Sequence, residues 1–157
     1  VKVINETLRT FKGVEHRIEF VRSINGVRYY NDSKGTNPDA AIKAIEAMKG
    51  PIILIAGGYD KGVSFDEFTA SFKGRVKKLI LLGETKELIY KSAIKEGYSE
   101  DDVIFAENID DAVYAAYNAA KSGDNVLLSP ACASWDMFRN YEERGRLFKD
   151  AVNSLMG

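Results

Sequence analysis

The sequence of 157 residues has one cysteine, Cys132, one histidine, His16, and three prolines. A lone cysteine excludes an internal disulfide, and with a lone histidine it cannot supply the roughly four soft ligands of a structural zinc site. No apolar run approaches the roughly 20 residues that span a bilayer, and Val1-Lys2-Val3-Ile4-Asn5-Glu6 lacks the apolar region of a secretory signal. Net charge is lacking as well. With 22 Lys and Arg against 23 Asp and Glu, the formal charge is −1, which leaves no surplus of cations to neutralise a phosphate backbone or an anionic lipid surface. The expectation is a cytoplasmic chain with no nucleic-acid or membrane partner.

What is present fits a single folded domain: 45% hydrophobic and 29% charged residues, without internal repeat or low-complexity stretch. Ile18 and Phe20, then Val27 and Tyr29, alternate on either side of Asn25-Gly26, a dipeptide suited to the positive φ angles of a two-residue hairpin turn. Short runs rich in Ile, Leu and Val follow at Pro51 to Ala56, Val76 to Leu82, Val103 to Ala106 and Asn125 to Ser129, as expected of strands buried on both faces. Helices fill the gaps. Asn37 caps the first, with Pro38 at its first position. Ser64 and Glu67 have the spacing of a capping box. A third helix is expected from Thr85 to Glu96 and a fourth from Asn108 to Ala120, with Asp110 and Asp111 in its positive first turn. The last is expected from about Phe138 to Leu155. The alternation predicts a Rossmann-like α/β domain. Its doubly wound, mostly parallel sheet has about six strands, opens on an N-terminal hairpin and carries helices on both faces.

Ligands of such sheets bind beyond the carboxyl ends of the strands, and the loops expected there are rich in small, polar and charged residues. They read Asn31-Asp32-Ser33-Lys34-Gly35-Thr36-Asn37, Gly57-Gly58-Tyr59-Asp60-Lys61-Gly62, Gly83-Glu84-Thr85 and Ser129-Pro130-Ala131-Cys132-Ala133-Ser134-Trp135-Asp136. Gly, Asn and Ser also serve such turns for their own sake. Gly57 and Gly62 have the glycine spacing of a phosphate-binding loop, but Val63 stands where its lysine is required, and no G-x-G-x-x-G follows any strand. Lys34 and Lys61 with the hydroxyls of Thr36 and Ser134 make the rim suited to a small dianion such as an acidic amino acid. Cys132, among small residues, reads as a buried structural thiol. On composition alone His16 reads as a surface or capping residue, Trp135 as partly buried at the rim, and Glu100-Asp101-Asp102 as a solvated turn.

The runs Glu15-His16-Arg17, Asn31 to Asn37, Gly57-Gly58-Tyr59-Asp60-Lys61 and Leu128 to Asp136 resemble the C-terminal domain of the Mur ligases of peptidoglycan synthesis. Among these they are similar to the member that adds D-glutamate. The resemblance extends from Phe11 onward and implies that residues 1–13 are a hinge from a preceding domain and 14–157 the amino-acid-binding domain. It implies that the complete enzyme joins D-glutamate to UDP-N-acetylmuramoyl-L-alanine through an acyl phosphate. ATP and Mg2+ would be held mainly by a central domain, and this domain would close over the ATP. Thr36 and Lys61 would hold one carboxylate of D-glutamate, Ser134 and the backbone near Tyr141 the other, with Lys34 between the two ligands. His16, Arg17 and Asp32 would face the nucleotide, Arg17 near phosphate and Asp32 near ribose. No nucleophile and no metal ligand are implied, and the segment alone, lacking a phosphate loop, is expected to be inactive. Gly35 departs from the family's common Ala, Trp135 from its Leu and Tyr141 from its Phe; only Trp135 is expected to bear on the pocket. The competing reading is a free-standing Rossmann-like module for an acidic metabolite; a G-x-x-G-K-[ST] loop upstream would favour the ligase, and its absence the module.

Overall fold

The computed structural model describes residues 14–156; the expected hinge at residues 1–13 lies outside them. Two strands, β1 (Glu19–Ile24) and β2 (Val27–Asn31), pair as an antiparallel hairpin. Its turn is Asn25-Gly26, with φ of 53° and 82°, the conformation the dipeptide predicts. The chain continues through α1 (Pro38–Ala47), β3 (Ile52–Ala56), α2 (Asp66–Ala70), β4 (Val76–Leu81) and α3 (Lys86–Lys95). A 3-10 turn at Glu100–Asp102 leads into β5 (Val103–Phe105), then α4 (Ile109–Ala119), β6 (Asn125–Leu128) and α5 (Tyr141–Asn153). The sheet order is β1-β2-β6-β3-β4-β5, and every pairing except the hairpin is parallel.

The central strands are apolar on both sides because both sides are covered. Ile52, Leu54 and Ala56 of β3 join Leu79, Leu81 and Leu127 in one core, beneath α1, α2 and α3. Ile53 and Ile55 join Ile80, Val126 and Leu128 in the other, beneath α4 and α5. Alternate side chains of one strand thus enter opposite cores. Asn37 and Asn108 cap α1 and α4 as expected, accepting from Ala40 N at 2.9 Å and Asp111 N at 2.8 Å.

Two helix starts differ from expectation. Ser64 and Glu67 form no capping box: the Ser64 hydroxyl accepts from Asp66 N at 3.2 Å, and α2 begins at Asp66 without a side-chain cap. Tertiary bonds decide this, because the Asp66 carboxylate is drawn to α3, where Ser92 Oγ and Lys95 Nζ each donate to it at 3.0 Å. The final helix starts three residues late. Met137 N and Phe138 N close a separate turn on the Ser134 carbonyl, and Asn140 caps α5 by accepting from Glu143 N at 2.8 Å.

Candidate functional site

After β2 the chain turns to the face of α1, whereas after the neighbouring β6 it turns to the opposite face, towards α5. The crevice where adjacent strands send their helices to opposite sides is the usual ligand position in such sheets. Here the crossing loops are bonded to one another. Ala131 N donates to Gly35 O at 2.9 Å, Gly57 N to Pro130 O at 3.0 Å, Tyr59 N to Ala133 O at 2.9 Å, and Thr85 N to Gly58 O at 3.0 Å. The loops carrying Thr36, Lys61 and Ser134 therefore form one continuous rim, with the β4 loop beneath it.

On the β2 side of the rim a pocket of about 520 Å³ is lined by Arg17, Asp32, Lys34, Gly35, Asn37 and Lys43, among others. Three of the sequence-predicted residues meet in it. Asp32 is 4% exposed and its two oxygens are engaged: Oδ1 accepts from Ile18 N at 3.0 Å and Oδ2 from Ser129 Oγ at 2.7 Å. These bonds hold a strained turn, in which His16 and Ile18 have φ of 69° and 43°, unusual for any residue with a Cβ and most of all for a β-branched one. Lys34 N also donates to His16 O at 2.9 Å. Asp32 and Lys34 thus fix the backbone that displays Arg17 at the pocket edge. Gly35 bears on the pocket too, contrary to expectation. A Cβ there would lie 2.7 Å from Asp32 Oδ2 and 3.0 Å from Ser129 Oγ, so the missing methyl makes room for the Asp32 carboxylate.

Burial pushes the Asp32 carboxyl up to about 6, while the Ser129 and Ile18 bonds and the Arg17 and Arg144 cations oppose the shift. Because the native form holds this proton more tightly than the unfolded chain, the contribution of Asp32 to stability falls as pH rises between about 4 and 6 and is level above. Asp32→Asn should abolish a decline on the order of 3 kcal/mol across that window. Urea unfolding of both proteins at several pH values measures it, and parallel profiles would refute the burial argument.

His16 corrects the compositional reading: it is 3% exposed, not on the surface. It sits behind the pocket, where Asn31 Nδ2 donates to its Nδ1 at 2.8 Å and the Tyr141 ring meets it edge-on at 6.0 Å. Asn31 Oδ1 accepts from Ser33 N at 3.1 Å, which fixes the amide orientation and leaves the imidazole proton on Nε2. Gly145 of α5 provides the space, since a Cβ there would be 2.1 Å from His16 Nδ1. Glu15, His16 and Glu19 cluster closely enough to suggest a cation site, but Lys149 Nζ already fills that role, donating to Glu15 at 2.6 Å and to Glu19 at 3.2 Å.

On the other side of the rim, Lys61 is exposed and its ammonium lies within electrostatic reach of Cys132. Thr36 is half-buried and Ser134 is buried within the β6 loop. Tyr141 holds Lys34, whose Nζ donates to its hydroxyl at 3.1 Å, while the Tyr141 carbonyl accepts from Ser33 Oγ at 2.7 Å. Trp135, expected to be partly buried, is 63% exposed and stands edge-on to Tyr59 at 5.3 Å. Its neighbours are both tied down, the Ser134 carbonyl accepting from Met137 N and Phe138 N and the Asp136 carboxylate accepting from Glu84 N at 2.9 Å, while the Trp135 ring between them stands exposed. Cys132 is buried as expected, and burial pushes its thiol up to about 11. It is unsuited to nucleophilic work near neutral pH.

Sequence reasoning missed Arg144. Its guanidinium, 2% exposed, donates from Nε to Ser33 Oγ at 2.9 Å and from Nη2 to Ser33 O at 2.8 Å, tying α5 to the β2 loop. A helical arginine among Glu142, Glu143, Arg146 and Lys149 reads by composition as a solvated side chain. Its i, i+4 spacing to Phe148 on the buried face was the available hint.

The geometry agrees with what the chain is related to. Residues 16–132 match the family described as Mur ligase, glutamate ligase domain, and the chain belongs to that family. It is 68% identical over 98% of its length to the UDP-N-acetylmuramoylalanine--D-glutamate ligase of Thermoanaerobacter sp. (strain X514). It is 62% identical over 99% to the ligase of the same name from Caldanaerobacter subterraneus subsp. tengcongensis. The chain spans about a third of the length of these curated relatives, 34% in each case. Among solved structures, the MurF ligase of Thermotoga maritima in complex with ADP shares the fold, with a TM-score of 0.56 and 16% identity over 97% of this chain and 36% of that one. No helix of the described residues is long and apolar enough to cross a membrane.

Proposed function

We propose that this chain is the C-terminal, amino-acid-binding domain of a cytoplasmic ATP-dependent ligase that adds D-glutamate to UDP-N-acetylmuramoyl-L-alanine. The observation that carries the reading is the hydrogen-bonded rim that joins the loops of Thr36, Lys61 and Ser134, in a chain 68% identical to a ligase of that name. ATP phosphorylates the alanyl carboxylate. The D-glutamate amine then attacks the carbonyl carbon of the acyl phosphate, and the tetrahedral intermediate expels phosphate as the amide forms. The remainder of the ligase supplies the phosphate-binding loop and Mg2+.

This domain contributes position and charge. Lys61 and the Thr36 hydroxyl hold one carboxylate of D-glutamate. Ser134 and the first-turn N–H groups of α5 at Tyr141, which have no acceptor within the helix, hold the other. Arg17 at the 520 Å³ pocket faces the phosphates, and Lys34, which lines the same pocket and is held by Tyr141, lies between the nucleotide and D-glutamate. Asp32 anchors the turn bearing Arg17 and keeps a lone pair for a ribose hydroxyl. His16 acts from behind as a spacer between β2 and α5 rather than by contact from the pocket wall.

Lys61→Ala in the complete ligase is expected to raise KM for D-glutamate about tenfold, the loss of about 1.4 kcal/mol of binding, with KM for ATP unchanged. Steady-state kinetics varying each substrate in turn measures this. An unaltered D-glutamate KM would overturn the assignment.

A further inference from the structure

We infer that Glu84, in the loop after β4, is a positioning residue for Lys61. The inference rests on the D-glutamate reading above and adds to it an element with no ligand of its own. The Glu84 carboxylate Oε1 accepts from Asp60 N at 2.8 Å, one residue before Lys61. Its own amide is fixed from the β6 loop, where Glu84 N donates to Asp136 Oδ2 at 2.9 Å. The adjacent Thr85 brackets Gly58 from both directions: its Oγ1 accepts from Gly58 N at 3.1 Å and its amide donates to Gly58 O at 3.0 Å. Gly83, at φ 82°, lets the two loops touch, since a Cβ there would be 2.9 Å from Gly58 N and Cα.

Beyond Asp60 the loop holds itself, with Gly62 N donating to Asp60 Oδ1 at 2.8 Å. Lys61 lies between an amide pinned by Glu84 and a turn closed by Asp60. Tyr59 is bonded to Ala133, so Glu84 is the outermost tie from another element before the lysine. An exposed lysine on a long flexible stem loses much rotamer entropy when it grips a carboxylate. Fixing its backbone removes the further cost of ordering the loop on binding. Glu84 is exposed and fills no core, so its substitution tests the loop without emptying a packed site.

In the complete ligase, Glu84→Ala is expected to raise KM for D-glutamate about fivefold, with kcat within twofold and KM for ATP unchanged. Glu84→Gln keeps an acceptor oxygen for Asp60 N and should restore KM to within about twofold. In the double variant with Lys61→Ala, the Glu84 change should add nothing, because there is no lysine left to position. An unchanged KM in Glu84→Ala, additive effects in the double variant, or equal losses for ATP and D-glutamate would each overturn the inference. Should Lys61→Ala itself leave the D-glutamate KM unaltered, the parent reading fails; should it act while Glu84→Ala does not, the positioning role alone fails.

Discussion

Gly57→Ala is expected to cost at least about 4 kcal/mol of stability, a large share of the roughly 5 to 15 kcal/mol that holds a domain folded. Gly57 follows β3 at the crevice, with φ of 116°, a region that side chains rarely enter. An added Cβ would lie 1.9 Å from the carbonyl oxygen of Leu82 and 3.2 Å from its nitrogen. Both obstacles are backbone, and neither can rotate away. Leu82 N donates to Ala56 O at 3.1 Å, and Gly57 N donates to Pro130 O at 3.0 Å, so relief would require β3 to part from β4 or from the β6 loop. Gly62 provides the control. It too has positive φ, 78°, but nothing stands within 4 Å of its Cβ position, so Gly62→Ala should cost only about 1 kcal/mol. Urea unfolding followed by far-ultraviolet circular dichroism separates the two, and a Gly57→Ala midpoint near that of Gly62→Ala would refute the steric account.

That contrast marks what could be read from the sequence. The glycines, the Asn25-Gly26 turn and the Asn caps declare themselves because each answers a local demand on φ or on an orphan amide. The central strands β3 and β6 declare themselves because burial on both faces leaves continuous Ile, Leu and Val, whereas β5, expected to be buried likewise, is the sheet edge and leaves Phe105 exposed. Failures occur where a distant partner overrides a local rule. Asp66 leaves the expected capping arrangement because Ser92 and Lys95 of α3 bind its carboxylate, and α5 starts late because Ser134 draws Met137 and Phe138 into another turn.

The site divides in the same way. Sequence order places Asp32, Lys34, Thr36, Lys61 and Ser134 after strands, and the parallel sheet then carries them to one edge. Sequence alone could not give Asp32 its structural work of holding Ile18 and Ser129, or seat His16 against Gly145 across the fold. Both depend on α5 and β6 meeting residues more than 90 positions earlier in the chain. Glu84 was equally hidden. A glutamate after a strand reads as a solvated side chain until the loop it holds is seen beside it.

Arg144→Met is expected to lower stability by about 3 kcal/mol, a fall of about 6 to 12 °C in Tm for a chain of this size. Burial pushes this guanidinium down to about 10, so it remains charged at neutral pH and its desolvation is offset by partners. Two of its nitrogens bond Ser33, whose hydroxyl in turn donates to the Tyr141 carbonyl, and its charge acts on Asp32, Cys132 and Asp136. Its third nitrogen, Nη1, is buried without a partner among the described residues and lies 3.4 Å from the Cβ position of Gly58. Methionine would occupy much of the same volume but leave the Ser33 carbonyl without a donor and Asp32 without a cation that favours its ionised form. The Asp32 carboxyl should then rise further above 6, so the decline of stability should extend to higher pH in the variant than in the parent. Arg144→Lys should recover less than half of the loss, because one ammonium cannot reproduce a planar fork set on the hydroxyl and carbonyl of a single serine. A loss below about 1 kcal/mol in Arg144→Met, or an unaltered pH profile, would mean that the guanidinium merely fills space between α5 and the β2 loop.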